Sequence, residues 1–197
     1  MFAGRILGAI ALAFLVTLIA CTQDQEETEK AEQVVADNYE LRNLYEQDQA
    51  DRSVGGDINW RVVDERDSQR RERVLKLLDS GKVITSEDYR HAAMVFQHVA
   101  DENAARLAHS LAQTAVRLDS TNARAKWLLA ASWDRYQMRL EKPQWYGTQY
   151  VKDSQGLWQL YDIDTTAVSD EMRRQLGVPS LAESRARVQK YNRQKED

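Results

Sequence analysis

What the chain has least of is cysteine, proline and histidine. Its only cysteine, Cys21, excludes an intrachain disulfide and any thiolate metal centre built on Cys pairs. The three histidines, His91, His98 and His109, form no His-Glu-x-x-His pair, and His91 and His98 stand seven positions apart. No metal or cofactor is therefore expected. Gly-x-Ser-x-Gly and the glycine-rich phosphate loop are missing as well, which removes the common signatures of serine hydrolases and nucleotide-binding enzymes. There is no basic excess either: 27 Lys and Arg stand against 31 Asp and Glu, a formal charge of −4. Nucleic acid is excluded as a partner on that ground, because a phosphate backbone calls for a positive patch.

Long apolar runs are scarce too, and the one present lies at the start. "MFAGRILGAIALAFLVTLIAC" places Arg5 before a run from Ile6 to Ala20 and then Cys21. A spanning helix needs about 20 apolar residues, so this run is short for a membrane crossing. A charged n-region, a short apolar region and small residues before a cut describe a secretory signal. The ending Leu18-Ile19-Ala20-Cys21 resembles the lipobox of bacterial lipoproteins. That resemblance implies cleavage after residue 20, acylation of Cys21 and a membrane-tethered protein of the cell envelope. Thr22 in place of Asp after the cysteine implies the outer membrane, facing the periplasm. The alternative is an uncleaved anchor helix with an incidental cysteine. Removing residues 1–20 takes away Arg5 and moves the formal charge from −4 to −5.

Prolines and glycines punctuate the rest. Residues 21–33, with "TQDQEETEKAEQ", read as a solvated tether. Residues 34–197 read as one domain. Apolar spacing predicts helices over about 31–53, ending before Gly55-Gly56, and over 60–79, with Gly81 just past the end. Thr85 and Asp88 stand at capping-box spacing before a third helix to about 100. Ala104, Leu107, Ala108, Leu111, Ala112, Ala115 and Leu118 mark the fourth. The fifth runs over about 122–140. Its middle, "AKWLLAASW", is apolar on nearly every side and is expected at the centre of the bundle. Helices three to five resemble one and a half tetratricopeptide units, with Met94-Val95 echoed 34 residues later by Leu128-Leu129. The period then drops to two: Tyr150, a turn at Asp153–Gly156, then Trp158 and Leu160 predict a β-hairpin lying against the helices. Ser169 caps a short helix stopped by Gly177, and a final polar helix after Pro179 is expected to fray. The fold class is mainly α: a helical bundle with a tetratricopeptide-like helix hairpin and one small β-hairpin.

Several polar residues break the apolar pattern. His98 shares a stripe with Met94 and Val95, and Asp134 and Arg135 follow the most apolar helix segment. A charge there must be paired or it costs several kcal/mol, roughly. The stretch "KPQWYGTQY" follows, with amides, a phenol, a hydroxyl and a glycine bend as partners.

The segments "AAMVFQH", "AHSLAQTAVRL", "AKWLLAASWDRY", "KPQWYGTQY" and "MRRQLGVPSLAE" together resemble a family of uncharacterised bacterial proteins, a domain of unknown function. Its signature is a Gln-His pair, an Asp-Arg pair and a Gln-x-Tyr-Gly-Thr-Gln turn, with "YEQDQADR" fitting an upstream acidic-Gln-Arg element. The resemblance covers about residues 40–185. It implies a site made of Asp48, Gln49, Arg52, Gln97, His98, Asp134, Arg135, Gln144, Tyr146, Gly147, Thr148 and Gln149.

Three readings of that set stay open. The residues satisfy one another and pin the hairpin to the bundle. Or they line a polar pocket of His98, Asp134 and Arg135 that recognises an envelope component or a partner protein. Or they catalyse, with His98 as general base or acid oriented by Asp134 or Asp48, Arg135 or Arg52 holding an anion, and Tyr146 donating a proton. The Asp134-Arg135 step by itself reads as a salt-bridge device.

Overall fold

The computed structural model describes residues 35–53 and 58–193. The chain divides into two units, 1–33 and 34–197, and every described residue belongs to the second. The signal segment, Cys21, the tether and the Gly55-Gly56 stop lie outside the described residues, as do residues 31–34 of the expected first helix. Among the described residues no helix is long and apolar enough to cross a membrane.

Seven helices and one hairpin are described. In chain order they are α1 (Tyr39–Ser53), α2 (Trp60–Asp79), α3 (Ser86–Gln97), α4 (Glu102–Leu118), α5 (Ala123–Arg139), β1 (Tyr150–Lys152), β2 (Trp158–Leu160), α6 (Asp170–Gln175) and α7 (Leu181–Arg193). The architecture is the mainly helical bundle with one small antiparallel hairpin that the periodicities predict. Local side-chain caps fix most boundaries. Asn59, Asp101, Asn122 and Ser169 each accept a backbone N–H from the first turn of their helix. Thr85 and Asp88 form the expected capping box at α3.

The start of α1 differs from its prediction. It begins at Tyr39 because Asn38 caps it, accepting from Leu41 N at 3.0 Å, while Asn38 N itself donates to Asp88 at 2.7 Å. A tertiary bond, not apolar spacing, sets this boundary.

The centre of the bundle also differs. It is α3, which packs against α1, α2, α4 and α5 and buries Ala92, Ala93, Val95 and Phe96. The α5 segment expected there buries Leu128, Ala130 and Ala131, but Trp127 is 41% exposed. Alanines at consecutive positions make a segment look apolar all round without requiring burial all round. Around α3 the core gathers Leu41, Val74, Leu77, Leu111 and Leu128.

The hairpin pairs Tyr150 with Leu160 and Lys152 with Trp158. Two strands are marginal alone, and this pair is held by α7, the helix expected to fray. Trp158 N donates to Asn192 Oδ1 at 2.8 Å and Asn192 Nδ2 returns a bond to Trp158 O at 2.9 Å. Tyr191 packs between the rings of Tyr150 and Trp158, with centroids about 6 Å from each. These aromatic and amide contacts keep α7 helical to Arg193.

Candidate functional site

The polar residues assemble into two clusters around the C-terminal half of α5. The first is the corner where α5 meets the hairpin. Asp134 is fully buried and accepts four hydrogen bonds: Trp145 N at 2.8 Å, Tyr146 N and Thr148 N at 2.9 Å, and Thr148 Oγ1 at 2.8 Å. Burial pushes its carboxyl above the usual aspartate range, while the four donors pull it back down. Gln144, also fully buried, donates to Gln149 O and Tyr161 O and accepts from Gln149 N. Gln149 reaches Ala131 O on α5 and Thr148 Oγ1. Gly147 turns the chain at φ +83°, and a Cβ there would lie 3.3 Å from Ile163 Cδ1.

The carbonyls of this corner have a partner that sequence reasoning missed. Arg173 on α6 is buried, and its guanidinium donates to Tyr146 O at 3.0 Å, Trp145 O at 2.9 Å and Val168 O at 3.1 Å. One anion thus takes up the N–H groups of Trp145, Tyr146 and Thr148, and one cation the C=O groups of Trp145 and Tyr146. Arg173 had no signal of its own in sequence: Arg174 beside it is solvent-facing and pairs with Glu171.

The second cluster lies where α1 and the end of α3 approach the other side of α5. Asp48 is fully buried, accepts from Gln49 Nε2 at 2.6 Å and Arg52 Nη1 at 2.9 Å, and has His98 Nε2 3.3 Å from Oδ2. That histidine contact is off the angle of a formed hydrogen bond, and Nε2 is otherwise without a partner. Arg52 continues to Asp67, Asp67 to Arg70, Arg70 to Asp51 and Asp51 to Arg66. Three carboxylates and three guanidinium groups balance along this α1–α2 seam. Asp67 is held below the usual range, its pairing with Arg52 and Arg70 outweighing its burial.

Arg135 is the exception to that balance. Its Nε is buried without a hydrogen-bond partner, and the charges that act on it are those of Arg139 and Arg52, both positive. Burial first, and those neighbours second, push its guanidinium down to about 10. Arg139, one turn further along α5, likewise has a buried and unpartnered Nε. Gln97 beside His98 has an orphaned Oε1.

The geometry therefore corrects the expected single pocket. Asp48, Gln49, Arg52 and His98 belong to one cluster, with Arg135 electrostatically close to Arg52; Asp134, Gln144, Gly147, Thr148 and Gln149 belong to the other, and buried Gln97 is joined to neither by a hydrogen bond among the described residues. Asp134 and Arg135 are no salt-bridge pair, because successive helix positions point about 100° apart. The carboxylate facing His98 is that of Asp48, not Asp134. Tyr146 contributes its backbone to the corner and turns its side chain toward a cavity with His109. Among the described residues no group of three or more His, Cys, Asp and Glu is arranged to hold a metal ion.

Mainly helical, with a satisfied corner and an unsatisfied cationic cluster, the domain defines a class by architecture only. The chain matches no family model, no curated protein and no solved structure.

Proposed function

We propose that the chain is a membrane-tethered lipoprotein of the cell envelope whose helical domain recognises an anionic group, phosphate or carboxylate, carried by an envelope component. The ligand would sit against Arg135 and Arg139 of α5, with Arg52 and His98 beside them. One observation carries this reading: two neighbouring guanidinium groups, each with a buried Nε, lack any carboxylate among the described residues. An unpaired buried charge costs several kcal/mol, roughly, and like charges one helix turn apart add to that. An incoming anion removes both costs. Guanidinium also presents the donor fork that carboxylate and phosphate accept. The lipobox-like Leu18-Ile19-Ala20-Cys21 supports the tether.

The test is a thermal shift of residues 22–197 with inorganic phosphate and glycerol phosphate, against sulfate at equal ionic strength. A ligand at a hundred times its Kd stabilises by about 2.7 kcal/mol, or roughly 5–11 °C for a domain of this size. The shift should vanish in Arg135→Gln. Equal shifts in wild type and variant would dismiss the site. For the tether, palmitate labelling of the full chain should disappear in Cys21→Ser.

A second reading rests on the contact between His98 and Asp48. A buried carboxylate against an imidazole is the arrangement that orients a general base, and the cationic cluster would hold an anionic substrate. Turnover lost in both His98→Gln and Asp48→Asn, with phosphate binding retained, would favour it.

A further inference from the structure

The corner spends its amides, hydroxyl and backbone on holding itself together, and leaves two side chains unexplained. Trp145 and Tyr146 are fixed through their N–H groups by Asp134 and through their C=O groups by Arg173. Neither bond uses the indole or the phenol. Both residues instead line an open depression of about 290 Å³ with Trp133, His109, Gln113 and Leu129.

The walls have a definite chemistry. Trp133 and Trp145 meet edge to face, with centroids 4.8 Å apart and planes 63° apart, and His109 lies 5.1 Å from Trp133 on the other flank. Trp133 Nε1 is buried and has no hydrogen-bond partner, although a buried indole N–H ordinarily finds one. Burial lowers the affinity of His109 for a proton, and its ring already meets Ser132 Oγ, 3.4 Å from Nδ1, and the Leu129 backbone, which leaves at most one ring nitrogen for a ligand. Gln113 adds an amide. No Asp, Glu, Lys or Arg lines the cavity.

We infer that this cavity is a carbohydrate subsite, taking one neutral pyranose ring with its C–H face on the Trp133/Trp145 corner and its hydroxyls toward His109, Gln113 and Tyr146. The absence of charged walls argues against an ion of either sign. A hydrocarbon would leave the Gln113 amide and the Tyr146 hydroxyl without partners on binding, and a quaternary ammonium would find no carboxylate among the lining residues. A sugar ring combines an apolar face with hydroxyls that both donate and accept, which is what these walls ask for. Holding the backbone of Trp145 and Tyr146 between Asp134 and Arg173 pre-organises the segment that carries the two rings. This inference does not rest on the anion reading, since the two sites use different residues.

The experiment is saturation-transfer NMR on the full chain in lipid nanodiscs. The probes are glucose, N-acetylglucosamine, cellobiose and chitobiose, with choline, toluene and glucose 6-phosphate as comparisons. At least one neutral saccharide should receive saturation, strongest on its axial ring protons. Gln113→Ala, at an exposed position on α4, should weaken that saccharide several-fold, and Trp133→Phe should do the same. Arg135→Gln should leave it unchanged, which separates failure here from failure of the anion site. Transfer to none of the neutral saccharides overturns the inference. So does transfer unaltered by Gln113→Ala and Trp133→Phe, or a cavity that accepts only choline, only toluene or only the phosphorylated sugar.

Discussion

Asp134 and Thr148 are joined twice: Oδ2 of the aspartate accepts both the backbone N–H of Thr148, at 2.9 Å, and its hydroxyl, at 2.8 Å. With the bonds from Trp145 N and Tyr146 N to Oδ1, one carboxylate on α5 takes up three backbone N–H groups and one hydroxyl of the corner. Asp134→Asn keeps the shape but turns an NH₂ group toward two of those donors. With the NH₂ on the Thr148 side the hydroxyl can turn to accept from it, so one charge-assisted bond, that of Thr148 N, is lost, at roughly 1.5–3 kcal/mol. The melting temperature should fall by about 3–12 °C, read by calorimetry, with secondary structure intact. An unchanged melting temperature would mean that the corner does not hold the hairpin.

Arg173 answers Asp134 from the opposite side of the turn. Arg173→Lys keeps the charge but cannot reach Trp145 O, Tyr146 O and Val168 O together, because an ammonium lacks the planar fork. It should cost roughly 2–3 kcal/mol in urea unfolding. Arg174→Ala, at an exposed neighbour, should stay within about 0.5 kcal/mol of wild type. Equal effects of the two changes would assign Arg173 no special part.

Arg135 should behave oppositely. Arg135→Met removes a largely buried charge whose charged neighbours are themselves cations. Replacing even a buried ion pair by apolar side chains of similar volume is often neutral or stabilising, by up to about 4 kcal/mol, and Arg135 has no pairing to lose. Without ligand the variant should melt higher than wild type, while losing the phosphate response. A variant that melts lower in plain buffer would show that Arg135 is already satisfied.

His91 gives the pH dependence. Buried and stacked on Tyr45 at 4.5 Å, it has its pKa pushed down to about 4, by burial first and by Arg90 second; Glu87 at 3.6 Å opposes the shift. A basic group with a depressed folded pKa leaves the unfolded chain binding more protons between the two values. Stability contributed by neutral His91 is therefore full above about 6.5 and declines as pH falls toward about 4. The decline amounts to about 3 kcal/mol over that window. His91→Phe keeps the stacking and abolishes the proton site, so its unfolding free energy should lose most of that slope. A slope identical to wild type would place the linkage elsewhere.

Local order was legible in the residues because it is decided locally. Asn59, Thr85, Asp101, Asn122 and Ser169 each sit just before an apolar period and cap the helix that follows. Gly81 and Gly177 take the positive φ expected of residues that end helices. The change of period at Tyr150 located the hairpin. Asp134 stood out because it follows apolar positions of α5, and it is buried; Gln144 and Gln149, expected as polar partners in the turn, are buried too, while Asp48 was reached only through the resemblance. Which of them would meet was not legible. Asp134 and Arg135 are adjacent in the chain, yet they serve different faces of α5. Arg173 and Arg174 are adjacent too, and only the first is buried.

By itself the sequence determined the helices, their caps, the hairpin and the set of residues too polar for their surroundings, because periodicity and capping act within a few residues. Tertiary structure alone decided the partners. It set α1 to begin at Tyr39 through Asp88, made α3 rather than α5 the centre, and kept α7 helical against Trp158. It also split one expected pocket into a satisfied corner and an unsatisfied cationic cluster. The reason is physical: a buried charge or amide is satisfied by whatever group lies within about 3 Å in space, and those groups come from segments far apart in the chain.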